Sequence, residues 1–191
     1  MKRANALAPI AALSLVSAQA AAAQQACIPA TDLADTVTYA VPLAYDATRS
    51  ACDAQFKASG FMKNDGVSFV DRFRARQDTA WPAARRVLTL FATSMSNGED
   101  APDPAMSEAI ANMPDDALRP FVDALATQKL SEEIKPDTCG KIERVMSLLS
   151  PLPVENVSGL ATLIVELAGV EKPSICASKP VAGARAKAKP K

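Results

Sequence analysis

The sequence predicts a mainly α-helical protein, a single small domain of about six to seven short helices that ends in an αα-hairpin and is stapled by two disulfides. Three observations carry this. Hydrophobic residues make up 49% of the chain, but aromatics are only six Phe, two Tyr and one Trp beside abundant alanine, which suits close-packed helices better than β-branched sheets. Between the termini, apolar residues recur at the i, i+3, i+4, i+7 spacing of one helical face. Four cysteines sit behind an export-type leader, where an even count without CxxC spacing reads as a disulfide framework.

The leader comes first in the chain. Lys2 and Arg3 supply a positive start, Ile10 to Val16 an apolar core, and AQAAAAQQAC, residues 18–27, small-residue cleavage sequences. Cleavage after Ala20 or Ala23 satisfies the small-x-small rule, and Ala23 is favoured. The expected plan is a signal peptide over 1–23, a helical domain over 24–177 and a disordered basic tail over 178–191. The apolar run is well short of the roughly 20 residues a spanning helix needs, so the cleaved chain is expected to be soluble, in the periplasm or extracellular, and not membrane-spanning. A lipoprotein would need an aliphatic residue three before the cysteine and a small one just before it. Gln24 and Gln25 fit such a pocket poorly, which leaves Cys27 free for a disulfide.

Next, TVTYAVPLAY is ambiguous: Thr36 to Tyr39 favour extended backbone, whereas Leu33, Val37, Val41 and Ala44 fit a helix. Two short helices broken at Pro42 are the preferred reading, since a lone strand would have no partner. A weaker pattern with Phe69, Phe73 and Ala80 predicts a helix over 68–80 capped by Ser68. The clearest pattern runs from Pro82 to Met95 with Ala84, Val87, Leu88, Phe91, Ala92 and Met95 on one face, and one helix kinked at Pro82 is the alternative to two separate ones. Asp103 and Pro104 open a short helix through Ala111, and Asp115 or Asp116 opens another to about Lys129 that buries Leu118, Phe121, Val122 and Leu125. Helices over 138–149, with Ile142, Val145 and Leu149 inward, and over 154–168, with Val157, Leu160, Ile164 and Leu167 inward, are separated only by the Pro151 to Pro153 connection, which predicts the hairpin.

That hairpin biases the disulfide pairing. The cysteines lie 25, 87 and 37 residues apart, and four cysteines allow three connectivities. Folding 138–168 back on itself brings Cys139 to Cys176, and a reversal at Pro42 brings Cys27 to Cys52, so sequential pairing is favoured. Were 31–50 one straight helix, at about 1.5 Å per residue, Cys27 and Cys52 would be roughly 30 Å apart, and Cys27 with Cys176 and Cys52 with Cys139 becomes the better pairing. The wide spacing and the absence of His disfavour zinc. No cofactor or metal is expected.

Function is far less legible. Without histidine the chain cannot build Ser-His-Asp or Cys-His machinery or use the commonest general base, and no phosphate-binding glycine motif is present. The neighbouring acids Asp115 and Asp116, and Glu132 and Glu133, point about 100° apart on a helix and read as caps and solvated charge. The loop NGEDAPD, with Glu99, Asp100 and Asp103, lacks the calcium-loop spacing and reads as a linker. Residues 24–178 hold 14 Lys and Arg against 21 Asp and Glu, a net of −7, while Lys179, Arg185, Lys187, Lys189 and Lys191 follow with no acid.

Such a tail can bind anionic lipid or wall polymers, and a nucleic-acid partner is not expected after export. Arg72 and Arg76 share a helix face and form the candidate anion contact, with pairing to surrounding acids as the alternative. The leading expectation is an exported interaction or envelope-associated module whose partner is a protein or envelope component. The alternatives are a small-molecule or lipid-binding periplasmic protein, and a carboxylate-dependent hydrolase needing a cleft with a raised carboxyl pKa.

Overall fold

One long helix organises the molecule. The computed structural model describes residues 27–95, 108–110, 112–169 and 173–176. Helix α1 runs over Ala30–Cys52, straight through Pro42, where two helices broken at the proline were expected. Pro42 has no N–H to donate to the Thr38 carbonyl, a loss that costs about 3 kcal/mol in a helix interior. Packing offsets it: Pro42 is fully buried, and α1 touches almost every other helix of the fold. The β-branched residues are also accommodated, because the hydroxyls of Thr36, Thr38 and Thr48 donate back to the carbonyls of Asp32, Ala34 and Ala44.

After a 310 turn over Asp53–Gln55 come α2, Phe61–Asn64, and α3, Gly66–Arg74. Helix α3 starts two residues before the Ser68 cap that the sequence suggests, and it buries Phe69 and Phe73 as the pattern predicts. Gly66 fits closely at its start, where a Cβ would stand 3.0 Å from the Tyr45 ring and press on it. Helix α4, Gln77–Met95, contains Pro82 inside rather than at its first turn. It buries Ala80, Trp81, Ala83, Ala84 and Val87. It runs antiparallel to α1, with Gln77 donating to the Tyr39 carbonyl at one end and Arg86 meeting Asp32 at the other. The helix expected from Asp103 through Ala111 falls largely outside the described residues.

Helix α5, Asp115–Glu133, lies parallel to α1 and closes a cluster of Tyr39, Leu43, Ala80, Trp81 and Ala84 with Leu118. Its inward face is narrower than the pattern implies: Leu118 is 1% exposed and Val122 packs partly, whereas Phe121 is 47% exposed and Leu125 is exposed as well. A 310 turn over Pro136–Thr138 leads to α6, Cys139–Leu149, and then to α7, Val154–Leu167, which ends where Gly169 takes φ +66°. In α6, Met146 is buried and Ile142 and Leu149 pack on the core, but Val145 points to solvent.

The hairpin is a correction to the sequence reading. Helices α6 and α7 do not lie along each other: α7 packs antiparallel on α1, and α6 packs on α2 and on the far end of α1. Both reach one core of Tyr45, Cys52, Phe56, Met62, Phe69, Val70 and Phe73 from different sides, with Cys139, Met146, Val154 and Val157. A connection of four residues permits a hairpin but does not require one: it limits the separation of the helix ends and leaves α7 free to settle on α1 and α6 on α2 and the end of α1.

The disulfide pairing follows from the straight α1. The favoured sequential pairs, Cys27 with Cys52 and Cys139 with Cys176, are not formed. Cys27 bonds Cys176, with Cα atoms 4.9 Å apart, and Cys52 bonds Cys139, at 5.7 Å. A helix of 23 residues is about 34 Å long, which puts Cys27 and Cys52 at its opposite ends. Each end of α1 is thus tied to the C-terminal half of the chain. At the Cys27 end the tie extends into backbone, because Ile28 donates to the Ser174 carbonyl and Cys176 donates back to the Ile28 carbonyl, at 2.8 and 2.9 Å. Ile28, Leu33 and Val87 form a small cluster there, with Leu90, Val165 and Ile175 packed against it.

Candidate functional site

The basic cluster on α3 and α4 is taken up by the chain's own groups. Arg72 donates to the carbonyls of Ser150 and Leu152, at 2.6 and 3.1 Å, so its guanidinium caps the exit of α6. Arg76 pairs with Glu155 at the start of α7, and that pairing holds the Glu155 carboxyl below its ordinary pKa. Arg74 bridges Asp46 and Asp71, Arg85 meets Asp115, and Arg86 grips Asp32 with two bonds of 2.8 Å. The structure therefore sets Arg72 and Arg76 at the two ends of the α6–α7 connection as fasteners, each with partners of its own.

An open groove of about 600 Å³ lies between α1 and α5 beside Pro42, lined by Asp46, Arg74, Gln77, Asp123, Thr127 and Gln128 among others. Tyr39 donates to Asp123 at its edge, and burial, reinforced by that carboxylate, pushes the phenol above its ordinary pKa. Arg119 lies over the Tyr39 and Trp81 rings, 5.5 and 6.0 Å from their centroids, and pairs with Asp78. Hydrolysis by carboxylates would call for a carboxyl with a raised pKa in such a cleft. Among the described residues, the carboxyls displaced from their ordinary values, Asp32, Asp53, Glu132 and Glu155, are held low by hydrogen bonds from basic or amide neighbours. The remaining neighbouring acids stay solvated or paired, with Asp115 on Arg85 and Glu132 on Lys129. Among the described residues no three Cys, Asp or Glu side chains gather as a metal site. The NGEDAPD loop and the basic tail lie outside the described residues.

Comparison with known proteins finds no matching family model, no matching curated protein and no matching solved structure.

The feature that sequence reasoning missed is on α7. Leu160, Ile164 and Leu167 were expected to face the core, but they face solvent with Leu163 beside them: 44% of Leu160, 49% of Leu163, 58% of Ile164 and 78% of Leu167 is exposed. The core side of α7 carries hydroxyls instead. Thr38 and Ser158 share a buried hydrogen bond of 2.6 Å, and Thr162 donates to the Ser158 carbonyl. Those buried polar groups are satisfied, so the orientation carries no unmet hydrogen-bonding cost.

Fixing that orientation are Val154, Val157 and Val165, which pack inward along the opposite edge, and the Arg76–Glu155 pair. The outward stripe has the i, i+3, i+4, i+7 spacing of a helix-docking seam and exposes on the order of 400 Å², within the range of functional patches on soluble proteins. A signal existed in the sequence. VENVSGLATLIVEL is apolar around most of its circumference, which calls for burial on two sides rather than one.

Proposed function

We propose that the protein is exported and acts as an envelope-associated interaction module whose contact surface is the outward face of α7. The observation that carries this reading is the exposed stripe Leu160, Leu163, Ile164 and Leu167 on a helix whose hydroxyl residues Ser158 and Thr162 are buried on the core side. Leaving four large aliphatic side chains in water on one helix face gains nothing for the isolated fold, and covering them releases that cost.

Export is supported by the leader and by two disulfides, which persist in oxidising compartments. Cys27 is bonded to Cys176, so its sulfur is not available for lipid attachment, which favours association through the folded surface or the tail. No described helix is long and apolar enough to cross a membrane.

The test is fractionation of cells producing the full chain. Leu163→Gln/Leu167→Gln, two exposed positions, should shift the protein from the envelope-bound to the freely released fraction while its helical circular dichroism is unchanged. An unaltered distribution contradicts the reading.

A further inference from the structure

Resting on that reading, we infer that the partner of the α7 face is an anionic lipid surface, gripped jointly by the stripe and by the basic tail. The argument begins with where the chain goes after α7. Val165, on the inward edge of α7, packs in the same small cluster as Ile28 and Ile175, and the next residue, Cys176, is locked to Cys27. The root of the tail is therefore held at the C-terminal end of α7, the end where exposure of the stripe is greatest, 58% at Ile164 and 78% at Leu167. From that point residues 177–191 carry Lys179, Arg185, Lys187, Lys189 and Lys191 and no acid. Fifteen residues can reach up to about 50 Å when extended, enough for the bases to lie in any plane the stripe touches.

An apolar helix face beside a polybasic segment matches the two parts of a lipid headgroup region. Aliphatic side chains enter the headgroup and acyl boundary, and lysines and arginines hold the anionic headgroups. Other occupants fit less well. A wall polymer offers charge but no apolar phase for Leu163 and Leu167. A second copy would bring like charges together, because the charged residues of α7 are Glu155 and Glu166 and residues 24–178 have a net of −7. That same acid excess repels anionic headgroups, so the tail is a requirement for docking and not an accessory. Neither half suffices: one stripe of four side chains gives weak, reversible attachment, and a basic tail alone gives attachment that salt removes.

The experiment is sedimentation of the full oxidised chain, without its leader, with vesicles of phosphatidylcholine and with vesicles mixing equal parts of phosphatidylcholine and phosphatidylglycerol. Binding is expected to the mixed vesicles and to be lost from the neutral ones. Each base near the headgroups contributes about fivefold in affinity, so removing residues 179–191 should weaken binding roughly a hundredfold or more. Leu163→Gln/Leu167→Gln should weaken it at least about tenfold while leaving the salt dependence that the tail confers.

Equal binding to both vesicle types, binding that survives removal of the tail, or binding untouched by the stripe variant overturns the bipartite assignment. If no vesicle binds but the stripe variant still leaves the envelope fraction in cells, the lipid assignment fails and the interaction reading stands. If fractionation too is unaltered, the interaction reading fails.

Discussion

Opening the outer bridge with Cys27→Ser/Cys176→Ser should lower stability by an amount set by chain entropy, because both sulfurs lie near the surface and their loss leaves no core cavity. The two bridges are nested, with sequence separations of 149 and 87. With the inner bridge intact, the unfolded chain between Cys27 and Cys176 is short-circuited, and the outer bridge closes a loop of about 60 residues, worth about 4 kcal/mol. For a chain of this size that corresponds to a drop of about 8–16 °C in the unfolding midpoint. Thermal circular dichroism of the oxidised variant checks the magnitude, and thiol alkylation checks the pairing. In the single variant Cys27→Ser, the thiol set free must be Cys176; under sequential pairing it would be Cys52. Labelling at Cys52, or a midpoint lowered by less than about 3 °C, would refute the reasoning that α1 holds the two cysteines apart.

Other substitutions test individual contacts. Leu118→Ala, which empties a fully buried position beside Trp81, should cost about 3 kcal/mol in denaturant unfolding, whereas Phe121→Ala on the same helix should cost under about 1 kcal/mol. Equal costs would mean that α5 presents the broader face its pattern suggests. The Arg86 hydrogen bonds hold Asp32 below its ordinary value of 3.8. A depressed carboxyl contributes stability that is present above that value and lost as pH falls through the folded one. Arg86→Gln should therefore lower stability at neutral pH by up to about 1 kcal/mol, Arg86 being largely exposed, and the difference should close in acid. A difference that widens with acid would contradict the sign. Ser158→Ala should cost about 1 kcal/mol, since Thr38 keeps the Ala34 carbonyl as a partner at 3.0 Å.

How much of this was legible before the structure depends on whether the deciding force was local. Helical class, the inward positions of Phe69, Phe73, Leu118 and Val157, and the position of α5 all follow from periodicity, which is local. Pro42 and the run Thr36 to Tyr39 point away from a helix, and only burial of α1 among the surrounding helices overrides them. Once α1 is straight, the nested disulfides follow, and the pairing conditional on a straight helix is the one formed.

The hairpin failed because a short loop sets an upper limit on separation and not a direction of packing. On α7, two apolar edges compete for the core, and the edge that turns inward is the one whose Val154, Val157 and Val165 meet distant core residues and whose Ser158 meets Thr38, a bond between residues 120 apart. No local pattern contains that bond. The outward stripe, the surface on which the functional proposal rests, was thus hidden by the same periodicity that revealed the helix.

The docking of α7 on lipid is tested most directly by a reporter in the stripe itself. Trp81 is buried, so Trp81→Phe leaves a silent background in which Leu163→Trp places an indole on the outward face of α7. With vesicles containing phosphatidylglycerol, its emission should shift to the blue and be quenched by lipids brominated on the acyl chains, and both effects should vanish when residues 179–191 are removed. An indole that keeps the emission of a water-exposed side chain at saturating lipid contradicts the assignment of this face to the membrane surface.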